Sequence, residues 1–211
     1  RSDRISGSVC ITASMAFSSQ FLPSILTKLR DQEPDLEIEL IASDDSGNLL
    51  LREADIAVRM FQPTQPDLIA RKVGYVEMGA FASTEYLQRF GTPRDLSELK
   101  DHVVIGTLKR DYSRQVLSEL GLETNSSFFK LRCDDPNVAW QMVLTGYGIG
   151  FTHIEFGVRE PCVRRVGENL PTIALPIWLT SHAQLRENKS IRTVFDFLAE
   201  EISDRKSTRL N

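Results

Sequence analysis

Residues 36–60 read LEIELIASDDSGNLLLREADIAVRM. Leu36, Ile38 and Leu40 alternate with Glu37 and Glu39, the pattern of a strand. The pattern breaks at Ser43-Asp44-Asp45-Ser46-Gly47, passes through a short helical stretch at 48–53, and returns as the apolar run Ile56-Ala57-Val58 ahead of Arg59. A break of about ten residues holding a helix is too long for a hairpin and suits a crossover, so the two strands are expected parallel in one sheet. Ligands of open parallel sheets bind beyond the carboxyl ends of the strands, which here are residues 43–46 and 59–61.

Outward from this stretch, residues 7–14 alternate as a further strand. Phe17, Phe21, Leu22, Ile25, Leu26 and Leu29 then recur at helical spacing, with Ser14 as N-cap. Pro23 falls inside that pattern and should kink or restart the helix. The first sixty residues thus read β-α-β-α-β. Residues 68–83 form one long extended run, expected to break at Gly74 and Gly79 where the chain leaves one lobe for another. A second alternating series follows: helix 83–90, strand 102–107, helix 113–120, strand 127–133, helix 136–145 with Pro136 in its first turn, and a turn into a short strand at 146–152. Residues 173–180 read as a strand returning to the first lobe, and 190–202 as the last helix, with Ile191, Val194, Phe195, Leu198 and Ile202 on one face.

The fold class is α/β: two doubly wound, Rossmann-like lobes joined by two crossing segments. Lobe I is expected to hold residues 1–77 and 174–211, and lobe II residues 78–173. Such an arrangement favours a small molecule held in a cleft between lobes by hinge closure.

The chain has 211 residues, 41% of them hydrophobic, and a net charge of −4. That balance argues against these residues gripping a phosphate backbone, which needs a basic face. No apolar run approaches the ~18 residues of a membrane span, so a cytoplasmic location without membrane contact is expected. Cys10, Cys133 and Cys162 are far apart without CxxC spacing, and read as reduced, mostly buried thiols. His102, His153 and His182 lack metal-ligand spacing, so no metal is expected, and no cofactor. The order around Gly146, Gly148 and Gly150 is helix then strand, the reverse of a dinucleotide loop, which makes it a structural turn. There is no GxSxG, HExxH or P-loop, and the paired carboxylates Asp44-Asp45 and Asp134-Asp135 stand at loop-to-helix junctions where capping outweighs acid–base chemistry. An enzyme is therefore not expected.

The more informative set is Ser14, Met15, Thr107 and Thr152, small polar or adaptable residues at strand ends in both lobes. Hydroxyls and amides at helix N-termini receive carboxylates well. Arg59 either adds a bidentate carboxylate contact or pairs with Asp44, Asp45 or Glu53, the pairing being slightly favoured.

Several of these segments together resemble the effector-binding domain of LysR-type transcriptional regulators: the alternating Gly7, Val9, Ile11, Ala13 and Ser14; Phe21-Leu22-Pro23; Pro34-Asp35-Leu36; Asp55-Ile56-Ala57-Val58-Arg59; Pro66-Asp67-Leu68; Tyr86-Leu87; and Gly148-Ile149-Gly150. The resemblance covers roughly residues 5–203. It implies a fold like that of type II periplasmic binding proteins, a small effector in the interlobe cleft, which the strand-end hydroxyls and amides would suit to an anion, and a homodimer or homotetramer. It also implies DNA contact only through a winged helix-turn-helix upstream of Arg1. Ligand contacts carried over from the family fall on Ser14, Met15, Ser43, Asp44, Met78, Gly79, Thr107 and Thr152. His153 joins them because Thr152-His153-Ile154-Glu155 is more polar than the family's usual pattern. The alternative is a solute-binding receptor of the periplasmic type.

Overall fold

The computed structural model describes residues 5–45, 54–109, 112–125, 127–167 and 169–205; the expected helix at 48–53 lies outside them. Strand β1 (Gly7–Ala13) is parallel to β2 (Leu36–Ala42), with Gly7 opposite Leu36 and Ala13 opposite Ala42. It is also parallel to β3 (Ile56–Arg59), with Ala13 opposite Val58. The two strands of the deciding stretch are thus parallel in one sheet, with β1 between them. β9 (Ile173–His182) pairs antiparallel with β3, setting Ser181 opposite Ile56 and Trp178 opposite Arg59, and is followed in strand order by β4 (Leu68–Ser83).

The helix expected after β1 is two helices. α1 (Met15–Gln20) ends at Phe21, and α2 (Leu22–Gln32) restarts with Pro23 in its first turn, where the missing proline N–H costs nothing. Phe17, Leu22, Ile25 and Leu29 are buried, each worth about 1.5–3 kcal/mol against exposure. α7 (Lys189–Asp204) buries Ile191, Val194, Leu198, Ala199 and Ile202 along one stripe, and Asn188 caps it by accepting from Ser190 and Ile191.

The chain folds as two compact units, one of Arg1–Tyr75 with Leu175–Asn211 and one of Val76–Ala174. β4 carries the chain from one to the other as an unbroken strand of 16 residues, so the expected break at its glycines does not occur. Gly79 is small for another reason: a Cβ there would lie 2.8 Å from Ile154 Cγ1. In the second unit the far half of β4 pairs antiparallel with β7 (Gly150–His153) and β8 (Val163–Arg165). Its remaining elements are α3 (Thr84–Phe90), β5 (Val104–Gly106), α4 (Tyr112–Glu119), β6 (Phe129–Arg132), α5 (Pro136–Leu144) and α6 (Ile154–Gly157), with β5 and β6 parallel. Side chains alternate across β4. Ala80 and Ala82 pack with Tyr86, Leu99 and Ile149, whereas Phe81 packs with Trp140 and Val143 on the other face.

The glycine-rich turn is structural, as expected. Gly146 takes φ +79°, and the N–H groups of Gly146 and Tyr147 bond Val143 O and Met142 O, closing α5 in the manner of a Schellman motif. None of the three cysteines is in a disulfide, but only Cys10 is buried; Cys133 is half-buried and Cys162 exposed, which corrects the expectation of mostly buried thiols. Among the described residues no helix is long and apolar enough to cross a membrane.

Candidate functional site

In the first unit the carboxyl ends of β1, β2 and β3 bring Ser14, Met15, Ser43 and Asp44 together. Ser14 caps α1, its Oγ accepting from Phe17 N at 3.3 Å. Ser43 N donates to Ala13 O at 2.9 Å, and its Oγ accepts from Asp45 N at 3.1 Å. The Met15 amide, expected as a receiver for a ligand, donates to Asp44 Oδ1 at 3.0 Å. An internal carboxylate therefore already occupies that position.

Arg59 is 9% exposed. Its guanidinium donates through Nη2 to Thr12 Oγ1 at 2.9 Å and through Nη1 to Val58 O at 3.3 Å. The favoured ion pair with Asp44 or Asp45 is not what holds it. Burial pushes its pKa down, and the charges of Asp44 and Asp45 act through space to offset part of that. Glu53, the third pairing considered, lies outside the described residues. Because Trp178 stands opposite Arg59 in an antiparallel pair, the two side chains share a face of the sheet. The indole Nε1 is buried with no acceptor. Thr12 and Thr180, 0% and 2% exposed, belong to the same face, since each pairs with Ala57 two residues before Arg59. A buried sheet face thus carries a cation, an unsatisfied N–H and two hydroxyls. The sequence reading missed Thr12 and Trp178; the available signal was a threonine and a tryptophan in phase with Arg59 within apolar strands.

In the second unit β4 and β7 place Met78 opposite His153 and Gly79 opposite Thr152, so four expected site residues are direct neighbours. Thr152 and His153 are 5% and 4% exposed. Thr107 comes from a neighbouring strand, since Val104 of β5 bridges Ile149, just before β7, in parallel. It follows β5 and is tied to the start of α4, its N–H donating to Ser113 Oγ at 3.1 Å. Asp134, in the loop after β6, accepts the amides of Leu108 at 2.8 Å and Lys109 at 3.1 Å. Asp135 caps α5 by accepting from Asn137 and Val138. This carboxylate pair serves in loop bracing and helix capping. No group of three or more His, Cys, Asp or Glu side chains among the described residues could hold a metal.

The family model "LysR substrate binding domain" matches residues 2–203. The chain belongs to the LysR substrate-binding domain family. Among solved structures, the regulatory domain of CrgA, a LysR-type transcriptional regulator from Neisseria meningitidis, superposes with a TM-score of 0.81 at 21% identity, covering 94% of this chain and 100% of that one. The effector domain of AmpR from Pseudomonas aeruginosa gives 0.77 at 15% identity over 98% and 100%. These likenesses establish the type II periplasmic-binding-like fold of LysR regulatory domains. In sequence, CrgA of Neisseria meningitidis serogroup C (strain 8013) is 30% identical over 100 residues, 47% of this chain and 33% of that protein. The regulator YcaN of Escherichia coli K12 is 26% identical over 149 residues, 69% of this chain and 48% of that protein. The chain therefore spans a third to a half of these relatives' length.

Proposed function

We propose that this chain is the effector-sensing domain of a LysR-type DNA-binding transcriptional regulator, and that its effector is a small anionic metabolite. The family match supports the sensing role. The observation that carries the anion is Arg59: a guanidinium has five N–H donors, and this one is buried against neutral oxygens beside an indole N–H that lacks an acceptor. A buried cation and an unsatisfied donor are both costly, and one carboxylate would relieve both. Ser14 and Ser43 contribute contacts from the first unit, where Asp44 holds the Met15 amide, and Met78, Gly79, Thr107, Thr152 and His153 from the second. The domain has no catalytic step of its own and acts in the cytoplasm. Effector binding biases two conformations through unequal affinity, and a homodimer or homotetramer passes that bias to a DNA-binding segment outside these residues.

Titration calorimetry against small carboxylates, in the chain and in Arg59→Gln, tests the reading. Loss of a charged hydrogen bond should weaken binding by about 1.5–3 kcal/mol. Equal affinity of both proteins for every carboxylate bound would remove Arg59 from the site, and a neutral ligand binding best would overturn the anion.

A further inference from the structure

A groove of about 270 Å³ lies within the first unit, between α7 and the strands β4 and β9. Its apolar lining is Ile69 on β4 with Ile191 and Phe195 on α7. Arg71, two residues from Ile69 and so on the same side of β4, and Arg192, on the first turns of α7, supply two guanidinium groups. Neither forms an ion pair among the described residues, and Asp196, one turn beyond Arg192, is likewise unpaired. The wall is firm: Ser181 is 7% exposed and its Oγ donates to Asp55 O at 2.8 Å. The first turn of α7 is tied to the start of the sheet by Ser190 Oγ donating to Ser6 O at 3.0 Å.

This groove is not part of the site proposed above. β9 runs antiparallel to β3, with Ser181 beside Ile56 and Trp178 beside Arg59. The groove therefore opens at the Ile56 end of the sheet, and Ser14, Ser43, Asp44 and Arg59 stand at the other end, about 10 Å further along β3 at ~3.3 Å per residue.

We propose that the groove is a second ligand site that takes a small organic monoanion with an apolar body. The volume is near the lower end of small-molecule pockets, about 300 Å³. Two unpaired guanidinium groups over an aliphatic and aromatic floor match a carboxylate head and a hydrocarbon tail. The Asp196 carboxylate leaves the groove one positive charge in excess over these three side chains, which favours one anionic group over two. Every side chain named belongs to one compact unit, so the site does not depend on the second.

The test is an amide-resolved NMR titration of the 211-residue chain with 4-methylpentanoate, with its neutral analogue 4-methylpentan-1-ol, and with inorganic phosphate. Shifts from 4-methylpentanoate concentrated at residues 69–71, 181–182 and 191–196, and a Kd at least tenfold weaker in Arg71→Gln/Arg192→Gln, are expected. Both substitutions are at exposed positions, so the variant keeps its fold. Shifts absent or confined to other residues, equal binding of the alcohol, or an unchanged Kd in the double variant each overturn the site. Phosphate binding as well as 4-methylpentanoate overturns the apolar body.

Discussion

The carboxylate of Asp44, in the loop after β2, accepts the backbone N–H of Met15 at 3.0 Å, where the chain turns from β1 into α1. The second unit repeats the device: Asp134, after β6, accepts the amides of Leu108 and Lys109, just past β5. In each case an aspartate beyond one strand braces the loop beyond its parallel neighbour. In the first unit that aspartate also fills the amide position a ligand carboxylate would seek.

Asp44→Asn therefore has opposite effects on stability and on binding. The neutral amide still accepts from Met15 N but loses the favourable charge, costing about 0.5–1 kcal/mol in a denaturant titration. Removing one of the two negative charges acting on Arg59 should tighten carboxylate binding about fivefold, ~1 kcal/mol, and more at low salt. Weaker binding in Asp44→Asn would instead make Asp44 a direct ligand contact.

Ser14 separates capping from recognition. Its Oγ already accepts from Phe17 N. Ser14→Ala should cost ~1 kcal/mol of stability and Ser14→Gly only a few tenths, because glycine tolerates the cap position. If the hydroxyl also meets the effector, both variants lose affinity equally, by roughly 1–2 kcal/mol. Calorimetry showing affinity that tracks stability, with Ser14→Gly unchanged, would leave Ser14 as a cap alone.

Gly148 is required by its neighbour, not by its backbone angle. A Cβ would stand 2.5 Å from Val103 O, in the segment that receives the amide of Ile149 at 2.8 Å. Backbone cannot swing aside as a flexible side chain can, so Gly148→Ala should cost more than about 2 kcal/mol. Gly121→Ala is the comparison, since nothing lies within 4 Å of its Cβ and only its φ of +94° opposes the change. A thermal unfolding midpoint less affected by Gly148→Ala than by Gly121→Ala would count against this explanation.

The strands and helices were largely legible because their apolar residues recur at the period of the element: Leu36, Ile38 and Leu40 for β2, and Ile191, Val194, Leu198 and Ile202 for α7. Local chemistry also placed Ser14 and Asp135 as caps. What depends on pairing between distant segments was not legible. The adjacency of Met78 with His153 and of Gly79 with Thr152 arises from register across some seventy residues. Charge points Arg59 to Asp44, Asp45 or Glu53; among the described residues the fold supplies Thr12 from β1 in place of the two aspartates, and Glu53 lies outside them. Whether Trp178 Nε1 finds an acceptor is likewise a property of the packed sheet, not of the sequence around it.

Tyr86 gives the alkaline limb of stability. Its Oη accepts from Val103 N at 3.0 Å and lies 3.2 Å from His102 Nδ1, joining α3 to the segment before β5. Burial pushes the phenol pKa up, and the Val103 hydrogen bond offsets part of the rise. A raised folded pKa means that the folded state holds the proton more tightly than the unfolded chain. The contribution is therefore complete below the ordinary tyrosine value of about 10 and is lost as pH rises through the raised value. Tyr112 is shifted the same way, by burial and by Glu119. Tyr86→Phe removes the acceptor for Val103 N, so it should cost about 1–3 kcal/mol at pH 7. It should also flatten, without abolishing, the fall in stability at alkaline pH, since Tyr112 and the Cys162 thiol, raised by its hydrogen bond to Glu160, contribute in the same direction. Denaturant titrations of both proteins from neutral to strongly alkaline pH decide it, and parallel curves over that range would show that Tyr86 does not titrate with unfolding.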